Sequence, residues 1–125
     1  TYSMYYTSNG ATVIPYGFSD LVFTNYLGGA QIAEVLINDA LTYDNFSESN
    51  IAQVTFSTER AAIGSKWRAT SGPNGALPGV KTDRFYVIKD AAGNIYKLKF
   101  TSFILQDGGE RGKPTLTYAL VKKGS

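Results

Sequence analysis

The sequence contains neither cysteine nor histidine, and it has one methionine, one tryptophan and four prolines in 125 residues. Without cysteine, a disulfide framework and thiol chemistry are excluded. Without histidine, acid–base catalysis would need converging carboxylates, and the ten acidic residues are dispersed, mostly in turn-like segments. Nucleotide loops, zinc-ligand spacings and nucleophile motifs are also missing. The sequence therefore does not support an enzyme.

Charge and hydropathy exclude two further classes. The net charge is +2 with scattered basic residues, whereas a nucleic-acid surface needs a clustered basic patch. No apolar run approaches the roughly 20 residues of a membrane-spanning helix, and no signal peptide is visible. The chain opens in a strand-like run at residues 2–6. We expect one domain over residues 1–125 that has lost its native leader, binds no nucleic acid and does not span a membrane.

What the sequence does have is a strand pattern near its C-terminus. Residues 84–89, 95–103 and 115–121 are rich in β-branched and aromatic residues, and Gly and Asn in residues 90–94 suit a hairpin loop with a bulge. Alternation with period two predicts which side chains face the core of this three-strand antiparallel meander. The predicted core residues are Tyr96, Leu98, Phe100, Leu116 and Tyr118. The lysines at 89, 97 and 99 are predicted to form a plain solvent face that also discourages edge pairing.

Turn signals about every ten residues indicate short strands in the rest of the chain. Residues 2–7 and 11–16 flank Ser8-Asn9-Gly10 as a hairpin. Further extended segments are predicted at 20–26, at 30–37 (where a helical face was the alternative) and at 51–57. Residues 38–50 and 70–79 are predicted loops, and no helix of standard length is predicted. The predicted fold class is all-β, an antiparallel, irregular β-sandwich with a C-terminal three-strand meander.

Three blocks resemble the HmuY-like family of haem-binding surface lipoproteins of Bacteroidota. The first is Gly17–Thr24, similar to a family strand of the type Trp-Asp-(Leu/Ile)-x-Phe, with Phe18 in place of the tryptophan. The second is Ile63-Gly64-Ser65-Lys66-Trp67-Arg68, similar to the family's Ile-Gly-x-x-Trp segment. The third is the meander, including Gly109-Glu110-Arg111-Gly112 before Pro114. The resemblance implies the family's all-β antiparallel fold.

The resemblance implies haem as a cofactor, although the donors differ from those of the family. Some members hold haem between two histidines and others use methionine, and this chain excludes two-histidine ligation. Met4 is the one soft donor and thus the candidate metal ligand; the alternative is a strand residue in the core. Any single tyrosine is more readily a core or sheet-face residue than an iron ligand.

The predicted ligand site lies at a loop end formed by residues 43–46, by Trp67-Arg68 and by residues 70–79. Irregular loops on a rigid sheet are common sites of binding. The predicted ligand-binding residues are Tyr43, Phe46, Trp67 and Arg68. Trp67 would supply a planar apolar wall, and Arg68 would supply a cation for a carboxylate of the ligand. The alternative is that these loops cover the sandwich edge and Trp67 fills the core.

Three functions stay open from the sequence. The first is a HmuY-like surface protein that captures haem or a related porphyrin without His ligation and passes it to an outer-membrane TonB-dependent receptor. The second is a non-haem ligand- or protein-binding module of a cell-surface lipoprotein, suggested by the missing histidines. The third is a structural β-domain of a larger surface protein. All three imply a location at the cell surface or outer membrane, lipid-anchored or secreted.

Overall fold

The computed structural model describes residues 3–9, 12–18, 21–69, 79–103 and 113–125, the first two ranges as backbone alone. The strands are β1 Ser3–Asn9, β2 Thr12–Phe18, β3 Gln31–Leu36, β4 Arg68–Ala69, β5 Gly79–Val80, β6 Arg84–Lys89, β7 Ile95–Ser102 and β8 Thr115–Lys122. Two short 3₁₀ helices, Tyr26–Gly28 and Glu48–Gln53, are the helical elements of these ranges. Neither has the length and apolarity that crossing a membrane requires of a helix.

All strand pairs in these ranges are antiparallel. A four-stranded sheet has the order β3-β6-β7-β8, and β1-β2 and β4-β5 form two-stranded ribbons. The all-β prediction is confirmed, as is the sandwich-like arrangement of sheets. The meander is confirmed with strand ends within one residue of those predicted, and the strand at 30–37 is confirmed as β3. The N-terminal hairpin is also confirmed, with Asn9 opposite Thr12.

Asp90 fixes the turn between β6 and β7. Its carboxylate accepts hydrogen bonds from the backbone N–H of Asn94 at 2.8 Å and from the Asn94 side-chain amide at 2.7 Å. These bonds, the side-chain one foremost, hold the pKa of Asp90 below its usual range. Gly93 adopts a φ of 84°, which glycine tolerates best. Gly124 packs so closely on the turn that a Cβ there would overlap the carbonyl oxygen of Ala92.

The predicted strand at residues 20–26 is wrong. Val22 makes only an isolated antiparallel bridge with Gly64. The chain then turns away, because the side-chain oxygen of Asn25 accepts the backbone N–H of Gly28 at 3.1 Å and starts a 3₁₀ helix. Gly29, with a φ of 85°, ends that helix. A side-chain bond to the backbone has here replaced a strand ladder.

The predicted extended segment at 51–57 is wrong over its first three residues. These belong to the 3₁₀ helix Glu48–Gln53, which starts where the Asn50 side chain accepts the backbone N–H of Ser47 at 2.9 Å. Only the end of the segment pairs with a strand: Ser57 and Ile32 exchange backbone hydrogen bonds of 2.9 and 2.7 Å. This bridge lies along the outer edge of β3.

Both faces of the four-stranded sheet bear a core. Consecutive strand residues point to opposite faces, and on β6 Phe85, Tyr86 and Val87 are all buried. We name the two sides the Phe85 face and the Tyr86 face. The buried cluster of the Phe85 face contains Ala33, Val35, Tyr43, Phe46, Phe85, Val87 and Ile95. That of the Tyr86 face contains Ile32, Ile63, Trp67, Tyr86 and Phe100.

The predicted core residues of the meander are buried or half-buried on β7 but exposed on β8. Phe100 is buried, and Tyr96 and Leu98 are half-buried. By contrast, Leu116 is 41% and Tyr118 67% exposed, so the predicted burial of these two is wrong. The reason is topological: β8 is the edge of the sheet, and the cluster on the Tyr86 face covers the strands nearer its centre. Alternation sets the face of a side chain, but not whether anything covers that face.

Candidate functional site

Tyr43 and Phe46 lie in an ordered loop against the Phe85 face. Their rings pack edge-on to Phe85, with centroids 5.9 and 5.4 Å away. Local side-chain bonds shape the loop: Asn45 Oδ1 accepts the backbone N–H of Thr42 at 2.7 Å, and Thr42 Oγ1 accepts that of Asn45 at 3.3 Å. Such reciprocal bonds replace the regular ladder that the segment lacks. Both aromatic rings are therefore core residues.

Lys97 ties this loop to the sheet. Its ammonium donates to the carbonyl oxygens of Tyr43 at 2.7 Å, Phe46 at 3.1 Å and Asp44 at 3.2 Å. The Lys97 and Lys99 nitrogens lie 4.9 and 5.0 Å from the Tyr43 ring centroid. The prediction that these lysines form a plain solvent face is wrong. The ammonium of Lys97 instead reaches backbone carbonyl oxygens of a loop that packs on the sheet. Alternation along the strand does not predict such a contact.

The Tyr43 phenol is a buried oxygen with no hydrogen-bond partner among the described residues. Burial raises its pKa, and the neighbouring Asp44 carboxylate adds to the rise. Both effects disfavour the phenolate, which is the form that binds ferric iron.

Trp67 lies in the core of the Tyr86 face and is 1% exposed. Its ring stacks on Phe100 with centroids 4.4 Å apart and 27° between the planes, and it meets Phe103 at 5.7 Å. Arg68, the first residue of β4, is 6% exposed, and its guanidinium carbon lies 5.5 Å from the Phe103 ring centroid. Phe103 is half-buried and is thus the most accessible ring of this group.

The structure does not bring the four predicted ligand residues together. Tyr43 and Phe46 pack on the Phe85 face, whereas Trp67, with Arg68 beside it, packs on the Tyr86 face. The sheet lies between the two pairs. The third part of the predicted site is residues 70–79. Of these, 70–78 lie outside the described residues, and Gly79 begins β5. The side chain of Met4 also lies outside the described residues, and its backbone pairs with Gly17. A binding role for any of these residues stays a prediction.

A charged group on the Tyr86 face was not anticipated from the sequence. Arg84 donates to Asp83 at 2.8 and 2.9 Å and reaches Glu34 at 3.3 Å. The hydroxyl of buried Tyr86 donates to Glu34 at 3.4 Å. Burial foremost, and then the Glu34 charge, raise the pKa of Tyr86, while the Asp83 carboxylate raises that of Arg84. Glu34 and Arg84 are 50 positions apart in the chain, and no sequence signal predicted their contact. The register of β3 and β6 brings them together.

A wide groove lies at the end of the sheet that carries the β6–β7 turn. Its volume is about 640 Å³. The lining includes Ile51, Ala92, Ile95, Lys89, Lys122 and Lys123. The Lys122 ammonium is 2.8 Å from a carboxylate oxygen of Glu48. The groove has room for a small molecule, and the described residues of its lining include no aromatic side chain. It lies at the other end of β7 from Phe103.

Comparison with protein families identifies the chain. The family model described as HmuY protein matches residues 4–118. The chain belongs to the HmuY family. No curated protein and no solved structure matches it. The HmuY family is a haem-binding protein family, so the next question is whether the residues present fit haem.

The donor set fits haem poorly. The chain has no histidine and no cysteine, and the described residues contain no group of three or more acidic, His or Cys side chains that could hold a metal ion. The buried Tyr43 oxygen is held in the protonated form that binds iron least well. Rings and a cation are present in contact, at Trp67, Phe103 and Arg68. Trp67 and Arg68 are buried and Phe103 is half-buried. None of the three offers a donor for the iron.

Proposed function

We propose that this HmuY-family chain binds haem or a related porphyrin at the cell surface mainly through the macrocycle and its propionates, without histidine ligation. The observation that carries the proposal is the family match over residues 4–118. Because the chain has no histidine to ligate the iron, the proposed affinity comes from apolar contact with the macrocycle and from pairing with its carboxylates. Binding should be weaker than in a His-ligated relative.

We place the site where Arg68 and Phe103 meet, with Trp67 behind them. An arginine pairs with a carboxylate in a bidentate manner, and the neighbouring rings offer apolar area. The described lining of the groove at the β6–β7 turn has lysines for the carboxylates but no aromatic ring for the macrocycle. This difference favours the Arg68 end over the groove. Met4 is retained as the one thioether that could serve as an axial donor.

The family membership also supports the wider role. We propose that the protein is lipid-anchored or secreted at the outer surface and passes the porphyrin to an outer-membrane TonB-dependent receptor. The second candidate function is a non-haem ligand- or protein-binding module of a surface lipoprotein. It is favoured by a specific observation, namely that Trp67 and Phe46, two of the predicted ligand residues, are enclosed in the two cores.

The first test is a titration followed in the Soret band with ferric haem, ferrous haem and iron-free protoporphyrin. We expect binding of all three, with little preference for the iron forms, and no bis-histidine spectrum. A clear preference for haem would require an axial donor, and Met4→Ala should then remove that preference. No binding of any of the three would overturn the proposal and leave the non-haem module.

The second test concerns the location of the site. Arg68→Gln should weaken the binding of haem and of iron-free porphyrin alike by roughly 10- to 150-fold, since a charge-assisted hydrogen bond contributes roughly 1.5–3 kcal/mol. Arg60→Gln is the matched control, because Arg60 also lies over a phenylalanine ring, at 4.4 Å from Phe23. Lys89→Gln instead removes a positive charge from the lining of the groove at the β6–β7 turn. If Lys89→Gln weakens binding and Arg68→Gln does not, the placement at Arg68 is wrong.

A further inference from the structure

The two edges of the four-stranded sheet differ in how they are protected. An exposed edge strand offers unpaired N–H and C=O groups, and proteins usually cover it or place a charge on it. On β3, the bridge between Ser57 and Ile32 covers part of the edge, and Glu34 lies in the middle of the strand. On β8, the only ladder partner among the described strands is β7. Within the described ranges, the β8 edge has neither protection.

The residues of β8 are uncharged from Thr115 to Val121. Three of them form an exposed apolar row on the Tyr86 face: Leu116 is 41%, Tyr118 67% and Leu120 53% exposed. Pro114 and Lys122 bound this stretch on either side. Pro114 limits strand pairing at one end, because proline lacks the N–H that a ladder needs, and the charge of Lys122 discourages pairing at the other end.

We propose that β8 pairs antiparallel with β8 of a second copy of the chain, about a two-fold axis at Tyr118. The row Leu116, Tyr118, Leu120 is symmetric about Tyr118, so two antiparallel copies of it present matching residues to each other. In this register Tyr118 meets Tyr118 of the second copy, and Leu116 meets its Leu120. Such a contact is isologous and joins two four-stranded sheets into one of eight strands.

Charge favours a second β8 over other occupants. An uncharged strand matches another uncharged strand, whereas pairing with β3 of a second copy would place Glu34 in the contact. In the proposed register the lysines at 113 and 123 come opposite one another just outside the paired stretch. Their repulsion weakens the dimer at low salt and is screened at high salt. A partner strand of acidic character would show the reverse salt dependence.

The size of the contact sets the expected strength. Seven residues with a rise of about 3.4 Å each give a paired stretch about 24 Å long. A strip roughly 10 Å wide along this stretch covers about 240 Å² on each partner. A stable dimer of standard size buries about 800 Å² per partner. We therefore expect a weak dimer whose population depends on protein concentration.

Single-cysteine crosslinking tests the register directly, because the chain has no cysteine of its own. Opposed Cα atoms in an antiparallel pair are about 4.5–5.5 Å apart, which a disulfide can span. Tyr118→Cys should therefore crosslink to itself at least tenfold faster than Thr117→Cys, whose counterpart is Ala119. Leu27→Cys, at a highly exposed leucine outside the sheet, gives the rate of random collision.

Sedimentation of the unaltered chain from 20 µM to 1 mM, at low and high salt, provides the second measurement. We expect a dimer that strengthens with salt and is abolished by Tyr118→Lys but not by Leu27→Lys. A chain that stays monomeric to 1 mM, or Tyr118→Cys crosslinking no faster than the two controls, overturns the proposal. So does the formation of open-ended oligomers without Tyr118→Cys crosslinks, which would indicate pairing of β8 with β3.

Discussion

Replacing Lys97 with methionine should destabilise the protein far more than its place in an alternating strand suggests. Methionine keeps the length of the side chain but loses the three hydrogen bonds to the loop carbonyls, of 2.7, 3.1 and 3.2 Å. A bond to a charged donor contributes roughly 1.5–3 kcal/mol. The Asp44 carbonyl belongs to an exposed residue and can turn to water, whereas those of Tyr43 and Phe46 belong to buried residues.

We therefore expect a loss of about 2–3 kcal/mol in the free energy of unfolding, rather than the sum of three full bonds. For a chain of this size, about 3–5 °C in Tm per kcal/mol corresponds to a fall of about 6–15 °C. Urea denaturation followed by the fluorescence of Trp67, the single tryptophan, measures the free energy. Trp67 lies on the opposite face, so its signal reports unfolding of the whole sheet.

Lys99→Met is the matched control. Lys99 lies two residues along the same strand, at 5.0 Å from the same Tyr43 ring. We expect it to cost less than about 1 kcal/mol, the usual size of an exposed cation–π contact. Equal losses in the two variants would refute the reasoning, because they would show that the ring contact rather than the carbonyl bonds holds the loop.

Three further predictions concern the fold. Phe100→Ala should cost about 3–5 kcal/mol by denaturation, since it removes a buried ring and leaves a cavity; a loss below 1 kcal/mol would contradict its place in the core. Gly124→Ala should cost about 1–3 kcal/mol because its Cβ overlaps a turn carbonyl, whereas Gly79→Ala, with open space around it, should be near neutral in Tm. Asp90 has a lowered pKa in the folded state, so its stabilising contribution is present at neutral pH and is lost as pH falls below about 4. Asp90→Asn should flatten the acid side of the stability profile, and an unchanged slope would speak against it.

Much of the fold followed from short-range signals. Glycine and asparagine at residues 90–94 marked the turn, and β-branched and aromatic runs marked β6, β7 and β8 within a residue of their ends. These signals are local, because turn chemistry and alternation act between residues a few positions apart. Local signals were misleading where a side chain competed for backbone hydrogen bonds. In the segment 20–26, predicted as a strand, the Asn25 side chain accepts the backbone N–H of Gly28 and a 3₁₀ helix forms.

The candidate site could be predicted only in part. The types of residue were visible, namely a tryptophan beside an arginine and the absence of histidine. Their arrangement was not, because a loop's side of the sheet depends on long-range packing. The structure placed Tyr43 and Trp67 on opposite faces of one sheet.

By itself, the sequence determined the strand periodicity, the turns and the available donors, because these are properties of residue type and close neighbours. Only the tertiary structure decided what covers each face. It left Tyr118 in solvent and placed Lys97 under a loop more than 50 residues away in the chain. Burial depends on which distant segments meet a surface, and alternation along one strand carries no information about them.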